Sequence, residues 1–274
     1  MIAKVFMGIV ILSAIALLIL SWMQIETNQQ ISRVWHALES APAHQRFNAD
    51  MVATLPAPVQ RYFLHAIAPG TPLATSVKLE MQGQFRLGED KPWLSMRAQE
   101  ILTPKGFVWK AVVGRGFQFK GADYYFNNSG RMQFKMWGLI PLVNVHSSDT
   151  TRSAIGRLGA EFIWLPSALL PSMGTTWKAM DDNTIQASLQ IDGEPVTLTL
   201  VIDADGKVLQ ISLPRWGDRT ENKTWAYIPF GSKCEAEIHE SGFTIPYKMS
   251  AGWWFGTERY SEFFQATIER AEFS

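Results

Sequence analysis

Residues 77–87 read Val-Lys-Leu-Glu-Met-Gln-Gly-Gln-Phe-Arg-Leu, and this stretch decides the fold. Apolar side chains alternate with polar ones, a period typical of a β-strand with one buried face and one wet face. The same alternation returns at 94–99, 107–113, 185–191, 196–202 and 208–213. Short turns such as Asp192-Gly193 favour antiparallel pairing, because parallel strands need long crossovers. The sequence therefore predicts a mainly β (α+β) fold, a highly curved antiparallel sheet or half-barrel.

One helical insert separates two series of predicted strands. The first series includes short strands at 117–120, 124–126 and 132–137. The alternation then stops, and Asp149 is a candidate N-cap for a helix with apolar residues at helical spacing. Pro166 and Pro171 bracket the end of that helix. We expect the insert, residues 149–171, to pack against the curved sheet.

The run from Val5 to Ile25 contains no charged residue. A helix of about 20 residues crosses the hydrocarbon layer of a bilayer, and Lys4 before the run favours a cytoplasmic N-terminus. The sequence thus predicts a single-pass anchor in a bacterial inner membrane, with the residues after 25 facing the periplasm or exterior. A cleaved signal peptide is the alternative, but its apolar core is usually shorter, and Ser21-Trp22-Met23 is a poor cleavage site.

The next segment has helical character. Ile31, Val34, Trp35 and Leu38 share one face of a helix that Ala41-Pro42-Ala43 would end. Asn48 is a candidate N-cap of a second helical piece, and Pro58 suits the first position of a third. The predicted domains are therefore an anchor at 1–25, a helical juxtamembrane segment at 26–75 and an antiparallel β domain at 76–274.

Composition excludes several classes of protein. The 25 basic and 25 acidic residues balance, so the chain lacks the basic footprint of a nucleic-acid binder. With one cysteine, Cys234, it forms no intramolecular disulfide and no cysteine-based zinc site. The histidines show no metal-ligand spacing, and we find no nucleophile elbow, dinucleotide loop or phosphate loop. We therefore expect no metal and no cofactor.

The predicted helical insert carries the best catalytic candidates, Arg157 and Glu161, which are four residues apart. If the helix turned Glu161 into an apolar cavity, burial would raise the pKa of its carboxyl and suit it to general acid or base chemistry. The chain would then be an envelope hydrolase using Glu161 with Arg157. The alternative is a solvated ion pair that contributes only ~0.2–0.5 kcal/mol to helix stability.

Aromatic residues are dense late in the chain. They either fill the core or line a site for a lipid or other apolar ligand on the concave face of the sheet, because such sites are apolar clefts with few polar anchors. The candidate ligand-binding residues are Trp216, Trp225, Tyr227, Trp253, Trp254 and Tyr260, with Phe255 among them. The favoured hypothesis is membrane-anchored ligand binding. The other two hypotheses are the hydrolase and a non-catalytic assembly or scaffolding protein that docks through the helix at 58–67.

Two motifs carry a family resemblance. Residues 55–63, Leu-Pro-Ala-Pro-Val-Gln-Arg-Tyr-Phe, and 157–166, Arg-Leu-Gly-Ala-Glu-Phe-Ile-Trp-Leu-Pro, resemble a bacterial family of unknown function. Members of that family often carry an N-terminal membrane segment, and the resemblance covers roughly residues 50–250. It implies kinship and no activity. The order of elements also resembles, more loosely, the curved half-barrel of LolA-type lipoprotein carriers, a likeness of fold that does not fix function.

Overall fold

The computed structural model describes residues 2–39 and 44–274, which form three α-helices, four short 3-10 helices and thirteen β-strands. The α-helices are α1 (Ile2–Leu38), α2 (Ala57–Ala66) and α3 (Ser148–Glu161). The strands are β1 (Val77–Phe85), β2 (Leu94–Thr103), β3 (Gly106–Val113), β4 (Phe119–Phe126), β5 (Ser129–Met136), β6 (Ile140–Val145), β7 (Thr176–Ala179), β8 (Thr184–Ile191), β9 (Glu194–Ile202), β10 (Val208–Gly217), β11 (Ala226–Glu240), β12 (Phe243–Trp253) and β13 (Ser261–Phe273).

All thirteen strands of the described chain join one antiparallel sheet in the order β6-β5-β4-β3-β2-β1-β13-β12-β11-β10-β9-β8-β7. Each series is a meander, and β13 closes the second series onto β1. The predicted fold class is confirmed. The predicted strands at 117–120 and 124–126 are wrong as separate elements: they form the single strand β4, whose inward residues include Gly121 and Asp123. The edge strands β6 and β7 were not predicted.

The sheet is strongly curved. Strands β4 and β9 lie eight positions apart, so a flat sheet would separate them by about 38 Å. Instead the Tyr125 hydroxyl of β4 donates a hydrogen bond to the Asp192 carboxylate in the β8–β9 turn. Tyr125 belongs to the face that α3 covers. That face is therefore concave, and the predicted half-barrel is present.

Helix α3 lies on the concave face and contacts β4 and β5 on one side and β9 and β10 on the other. Its N-cap is Ser147, whose hydroxyl accepts a hydrogen bond from the Thr150 amide. The predicted cap Asp149 is thus wrong by two positions: it lies in the first turn and accepts a hydrogen bond from Trp216 Nε1 at 2.8 Å. After the helix, residues 162–170 are all buried, and together with α3 they cover this part of the concave face.

Two glycines allow α3 to approach the sheet closely. A Cβ at Gly159 would lie 2.7 Å from Val196 Cγ1, and one at Gly156 would lie 3.0 Å from Arg215 Cγ. A side chain at Gly159 would overlap Val196, and one at Gly156 would require Arg215 to shift, so the helix backbone lies close to the sheet along this line. This close approach brings Arg157, between the two glycines, down to the level of the strands.

The C-terminal part of α1 packs on the opposite, convex face. Ile31 and Leu38 are buried there, with Val34 and Trp35 beside them. Their partners come from β2, β3 and β4, namely Ile101, Val108, Ala122, Tyr124 and Phe126. Lys110 Nζ lies 3.6 Å from the centre of the Trp35 ring. The helical face predicted at 31–38 is confirmed, whereas its predicted end at Ala41-Pro42-Ala43 lies outside the described residues.

The N-terminal part of α1 is apolar and exposed, and it is long enough to cross a membrane. An uncleaved anchor and a signal sequence share this character. The helix continues without a break through residues 26–30 and onto the sheet. The predicted domain boundary after residue 25 therefore falls inside one helix.

Residues 44–75 pack into the main core rather than beside it. Asn48 caps a 3-10 turn at Ala49–Met51, as predicted. Helix α2 buries Val59, Tyr62 and Phe63, and the two aromatic rings contact Trp177 of β7. The apolar face at 58–67 that the scaffolding hypothesis assigned to a partner is thus occupied by the fold itself.

Candidate functional site

A charged cluster lies in the apolar interior of the concave face. Glu100 of β2 pairs with Trp109 of β3, and Trp109 pairs with Asp123 of β4. Direct cross-strand partners point to the same face of a sheet. These three residues therefore form a transverse row, with Trp109 between the two acids. Helix α3 places Arg157 over this row.

The Arg157 guanidinium contacts three carboxylates. Its Nε donates to Glu161 Oε1 at 2.7 Å, its Nη1 to Asp123 Oδ2 at 2.8 Å and its Nη2 to Glu100 Oε1 at 3.3 Å. Its carbon centre also lies 4.5 Å from the Phe107 ring and 5.2 Å from the Trp109 ring. The fork shape of arginine allows this division of donors among several acceptors. Arg157 thus links α3 to two strands of the sheet.

Burial makes the protonation of this cluster unusual. Glu100 is 0% exposed. Burial and the neighbouring Glu161 carboxylate raise the pKa of Glu100 well above the ordinary 4.5, against the opposing charge of Arg157. The surrounding carboxylates raise the pKa of Arg157 despite its burial. The cluster therefore consists of a permanent cation, two nearby carboxylates and a Glu100 carboxyl that favours its neutral form.

We expect Glu100→Gln to change how stability depends on pH. Because the pKa of Glu100 is raised on folding, the folded protein keeps a proton that the unfolded chain releases above about pH 4.5. The contribution of Glu100 to stability therefore falls as the pH rises toward its folded-state pKa, and glutamine cannot titrate. As the pH is raised from 4.5 to 7.5, the melting temperature of the Glu100→Gln variant should therefore increase relative to that of the unmodified protein. Equal pH dependence in both proteins would contradict a raised pKa, and the exposed Glu80→Gln serves as control.

A second arginine, Arg215 of β10, lies near the first. It is 9% exposed, and its Nε donates to the Ser153 carbonyl at 3.1 Å. Its guanidinium lies 4.7 Å from the Phe230 ring and 5.0 Å from the Trp253 ring. Burial, followed by the charge of Arg157, lowers the pKa of Arg215 to about 10. Within residues 2–39 and 44–274, no carboxylate forms an ion pair with it.

Aromatic rings from both halves of the sheet meet on the concave face and form a continuous group, here called the aromatic belt. Phe85 of β1 contacts Trp109 at 6.3 Å and Phe263 at 5.6 Å between ring centres. Phe263 in turn contacts Phe230 and Trp253. The belt consists of Phe85, Trp109, Phe134, Phe230, Trp253, Phe263 and Phe264. Most of its members are only half-buried, unlike the rings beneath α3.

Where the belt meets the charged cluster, one buried polar atom has no hydrogen-bond partner among the described residues. It is Trp109 Nε1; the carboxyl groups of Glu100 and Glu161 are hydrogen-bonded to each other, and this bond contributes to the raised pKa of Glu100. Buried polar atoms are almost always paired, so each such group in a native fold requires an explanation. The belt thus combines apolar surface with one unpaired donor beside the charged cluster.

The predicted aromatic residues do not form one site. Trp253 belongs to the belt. Trp216 and Tyr227 pair at 5.0 Å near the start of α3, where the Tyr227 hydroxyl donates to Glu194. Trp254 lies in the β12–β13 turn and donates to the Arg219 carbonyl at 2.9 Å.

The other three late aromatic residues lie outside the belt as well. Tyr260 pairs with Phe255 at 5.5 Å between ring centres. Trp225 is half-buried in the β10–β11 connection. The predicted ligand-binding aromatic residues therefore lie in several separate parts of the structure, and among them only Trp253 contacts Arg215.

Arg157 and Glu161 are brought together as predicted, but their setting differs from a solvated pair because both are largely buried. Sequence reasoning missed Glu100, Asp123 and Arg215. The sequence does contain a signal for them, because each of the three lies at a strand position whose side chain faces the core. Glu100, for example, lies between the buried residues Ala98 and Leu102 on the same face of β2. A charged residue at a core position of a strand requires a buried partner.

Among residues 2–39 and 44–274, no group of three or more His, Cys, Asp or Glu side chains is placed to hold a metal ion. Arg157 occupies the centre of the carboxylate cluster, where a cation would otherwise bind. Cys234 is buried in the core, and burial raises the pKa of its thiol to about 12. The chemistry that this interior offers is therefore ionic and hydrogen-bonding contact.

The fold is similar to two solved structures at low identity. A LolA superfamily protein from Nitrosomonas europaea is 7% identical, with a TM-score of 0.42, over 80% of this chain and 92% of that one. A DUF1329 family protein from Desulfovibrio piger is 10% identical, with a TM-score of 0.36, over 82% of this chain and 91% of that one. Both similarities are distant and concern the fold alone.

Sequence comparison identifies the family. No curated protein matches the sequence. A family model described as a family of unknown function, DUF6920, matches residues 53–273. The match includes both motifs, at 55–63 and 157–166, and extends beyond the predicted range of 50–250 to the end of the last strand. The chain therefore belongs to the DUF6920 family.

Proposed function

We propose that this protein is anchored in the bacterial inner membrane by α1 and binds a lipid or other apolar ligand on the concave face of its sheet. The observation that carries the proposal is the aromatic belt beside the charged cluster. Ligand sites are largely apolar, with a few placed polar groups that fix orientation. Here the belt includes Trp109, which contacts Phe85, Phe134 and Phe264 and whose Nε1 has no partner among the described residues. Trp109 also lies between Glu100 and Asp123 of the charged cluster.

The half-burial of the belt supports a binding role over a purely structural one. Rings beneath α3 and the following segment, such as Phe107 and Phe162, are fully buried. Phe85, Phe263 and Trp253 on the same face keep part of their surface exposed. An apolar chain laid against them would remove that surface from water, at about 25 cal/mol per Å². Such a gain favours a ligand with a long hydrocarbon part.

The apolar segment of α1 supports membrane anchoring. Most of its residues from Val5 to Ile25 are exposed, and their helix would span about 30 Å, the thickness of a hydrocarbon layer. An anchored domain of this kind would meet its ligand at the membrane surface. We infer that residues after 25 lie in the periplasm.

The test is native mass spectrometry of the full chain, extracted from membranes in a mild detergent. We expect a discrete extra mass that survives removal of the detergent and is identified after solvent extraction. A chain that carries only its own mass under conditions that preserve the fold would count against ligand binding. A heterogeneous series of masses that follows the bulk lipid composition would indicate only annular lipid around α1, which also counts against a site.

The hydrolase stays a second prediction, and the contacts of Glu161 do not favour it. Glu161 Oε1 is held by Arg157, and Glu100, whose pKa is raised, is fully enclosed. A general acid must reach the atom that it protonates. Glu161→Gln separates the two roles: a catalytic Glu161 would leave stability intact on this change, whereas a structural one would lower the melting temperature.

A further inference from the structure

Two exposed aromatic side chains lie together at one corner of the sheet. Phe117 in the β3–β4 turn is 67% exposed, and Trp137 in the β5–β6 turn is 46% exposed. Their ring centres are 5.3 Å apart, and Trp137 Nε1 donates to the Gly116 carbonyl at 2.8 Å. Ile140 and Leu142, which follow the second turn, are also exposed. These four exposed residues are here called the apolar corner.

This corner points toward the apolar end of α1. Strand β5 runs alongside the helix in the opposite direction, because Arg131 contacts Gln30, and Lys135 contacts Met23 and Thr27. The next residues, at the tip of the turn, reach Gln24: a Cβ at Gly138 would lie 2.9 Å from its side-chain nitrogen. The turn therefore ends within two residues of Trp22, at the boundary of the apolar segment.

The chemistry of the corner suits the interface of a bilayer. Tryptophan is enriched at the level of the lipid headgroups, where its ring lies among apolar groups and its N–H finds a polar partner. Arg115 in the β3–β4 turn and Lys120 just after it are both exposed. The Lys120 side chain also lies beside Gly138 of the β5–β6 turn. Basic side chains at this level gain from the negative surface of anionic lipids. An apolar corner anywhere else on the sheet would lack this alignment with α1.

We propose that Phe117, Trp137, Ile140 and Leu142 form a second membrane contact, which inserts into the interface and holds the β domain upright on the bilayer. The inference rests on the proposed anchor but not on ligand binding. With α1 it makes two contacts with the bilayer, so the domain would not rotate freely about its anchor. The concave face with the aromatic belt would then keep a fixed orientation to the lipids.

The test uses the full chain in nanodiscs that contain phosphatidylglycerol. In a Cys234→Ala background, single cysteines replace Phe117, Trp137, Leu12 or Val145 and carry an environment-sensitive fluorophore. Lipids with quenchers at the headgroup or in the acyl chain report the depth of each position. Val145, at the other end of β6, is the matched control, because it is also apolar and exposed. Leu12 reports the anchor itself.

We expect quenching from headgroup-level quenchers at 117 and 137, from acyl-chain quenchers at 12, and little quenching at 145. Quenching at 12 without quenching at 117 and 137 would overturn the second contact and leave the anchor standing. No quenching at 12 would overturn both. Energy transfer between labelled copies at 117 or 137, without quenching by lipid, would assign the corner to an interface between two chains and also overturn the proposal.

Discussion

Replacing Arg157 with methionine should lower the free energy of unfolding by about 3–5 kcal/mol, since the change leaves buried carboxylates without their partner. Asp123 and Glu161 would lose the cation that they contact, and Glu100 would lose its hydrogen bond from Arg157. For a domain of this size the loss corresponds to a decrease in melting temperature of about 6–20 °C. Thermal unfolding of the full chain in detergent, followed by tryptophan fluorescence, measures it.

Arg152→Met is the matched control for this prediction. Arg152 lies on the same helix and pairs with Glu194 at 3.0 Å, but its side chain is 44% exposed, against 15% for Arg157. Exposed pairs contribute up to about 1 kcal/mol. Combining Arg157→Met with Asp123→Asn and Glu161→Gln should recover much of the loss, because the buried charges disappear. Similar melting temperatures for the two single variants would show that the Arg157 cluster does not stabilise the fold.

Replacing Trp253 with alanine should reduce ligand occupancy by about tenfold or more, because a large ring of the belt is removed. Its neighbour in sequence provides the comparison. Trp253 faces the concave side, 5.2 Å from Phe230, whereas Trp254 turns away and donates to the Arg219 carbonyl. We therefore expect Trp254→Ala to leave the occupancy unchanged.

The measurement is the fraction of molecules that carry the ligand mass in native mass spectra of each variant. Thermal unfolding of both variants shows whether the fold is kept. A folded Trp253→Ala protein with full occupancy would exclude the belt as the binding surface. An equal loss in the two variants would point to a general effect of the β12–β13 turn rather than to the concave face.

The strands and their pairing were predictable because their causes are local. Alternation in 77–87 and the Asp192-Gly193 turn each act within a few residues, and both are confirmed. The inward face of β4 carries Gly121 and Asp123, so apolar and polar residues do not alternate along this strand. For this reason the sequence predicts two short strands where the structure has one. Edge strand β6 is largely exposed on both faces, which removes the burial pattern on which a sequence prediction depends.

The site was predictable only in part because it is assembled over long distances. Arg157 and Glu161 are neighbours on one helix, so their spacing reveals them. Glu100 and Asp123 join them only through the register of β2, β3 and β4 under α3. The aromatic belt likewise draws on both ends of the chain, since β13 returns beside β1. A prediction based on the density of aromatic residues along the sequence therefore includes Trp253 of the belt but not Phe85 or Trp109.

The central claim is that an apolar molecule binds on the concave face, and photo-crosslinking in the native membrane tests it most directly. Cells that express the full chain would take up a fatty acid with a diazirine at its terminal carbon and incorporate it into lipid. After irradiation, mass spectrometry of the digested protein locates each adduct. The account predicts adducts in β1, β3 and β13 around Phe85, Trp109 and Phe263, in addition to those in α1. Adducts confined to α1 and the corner at Phe117 and Trp137, with none on the concave face, would contradict it.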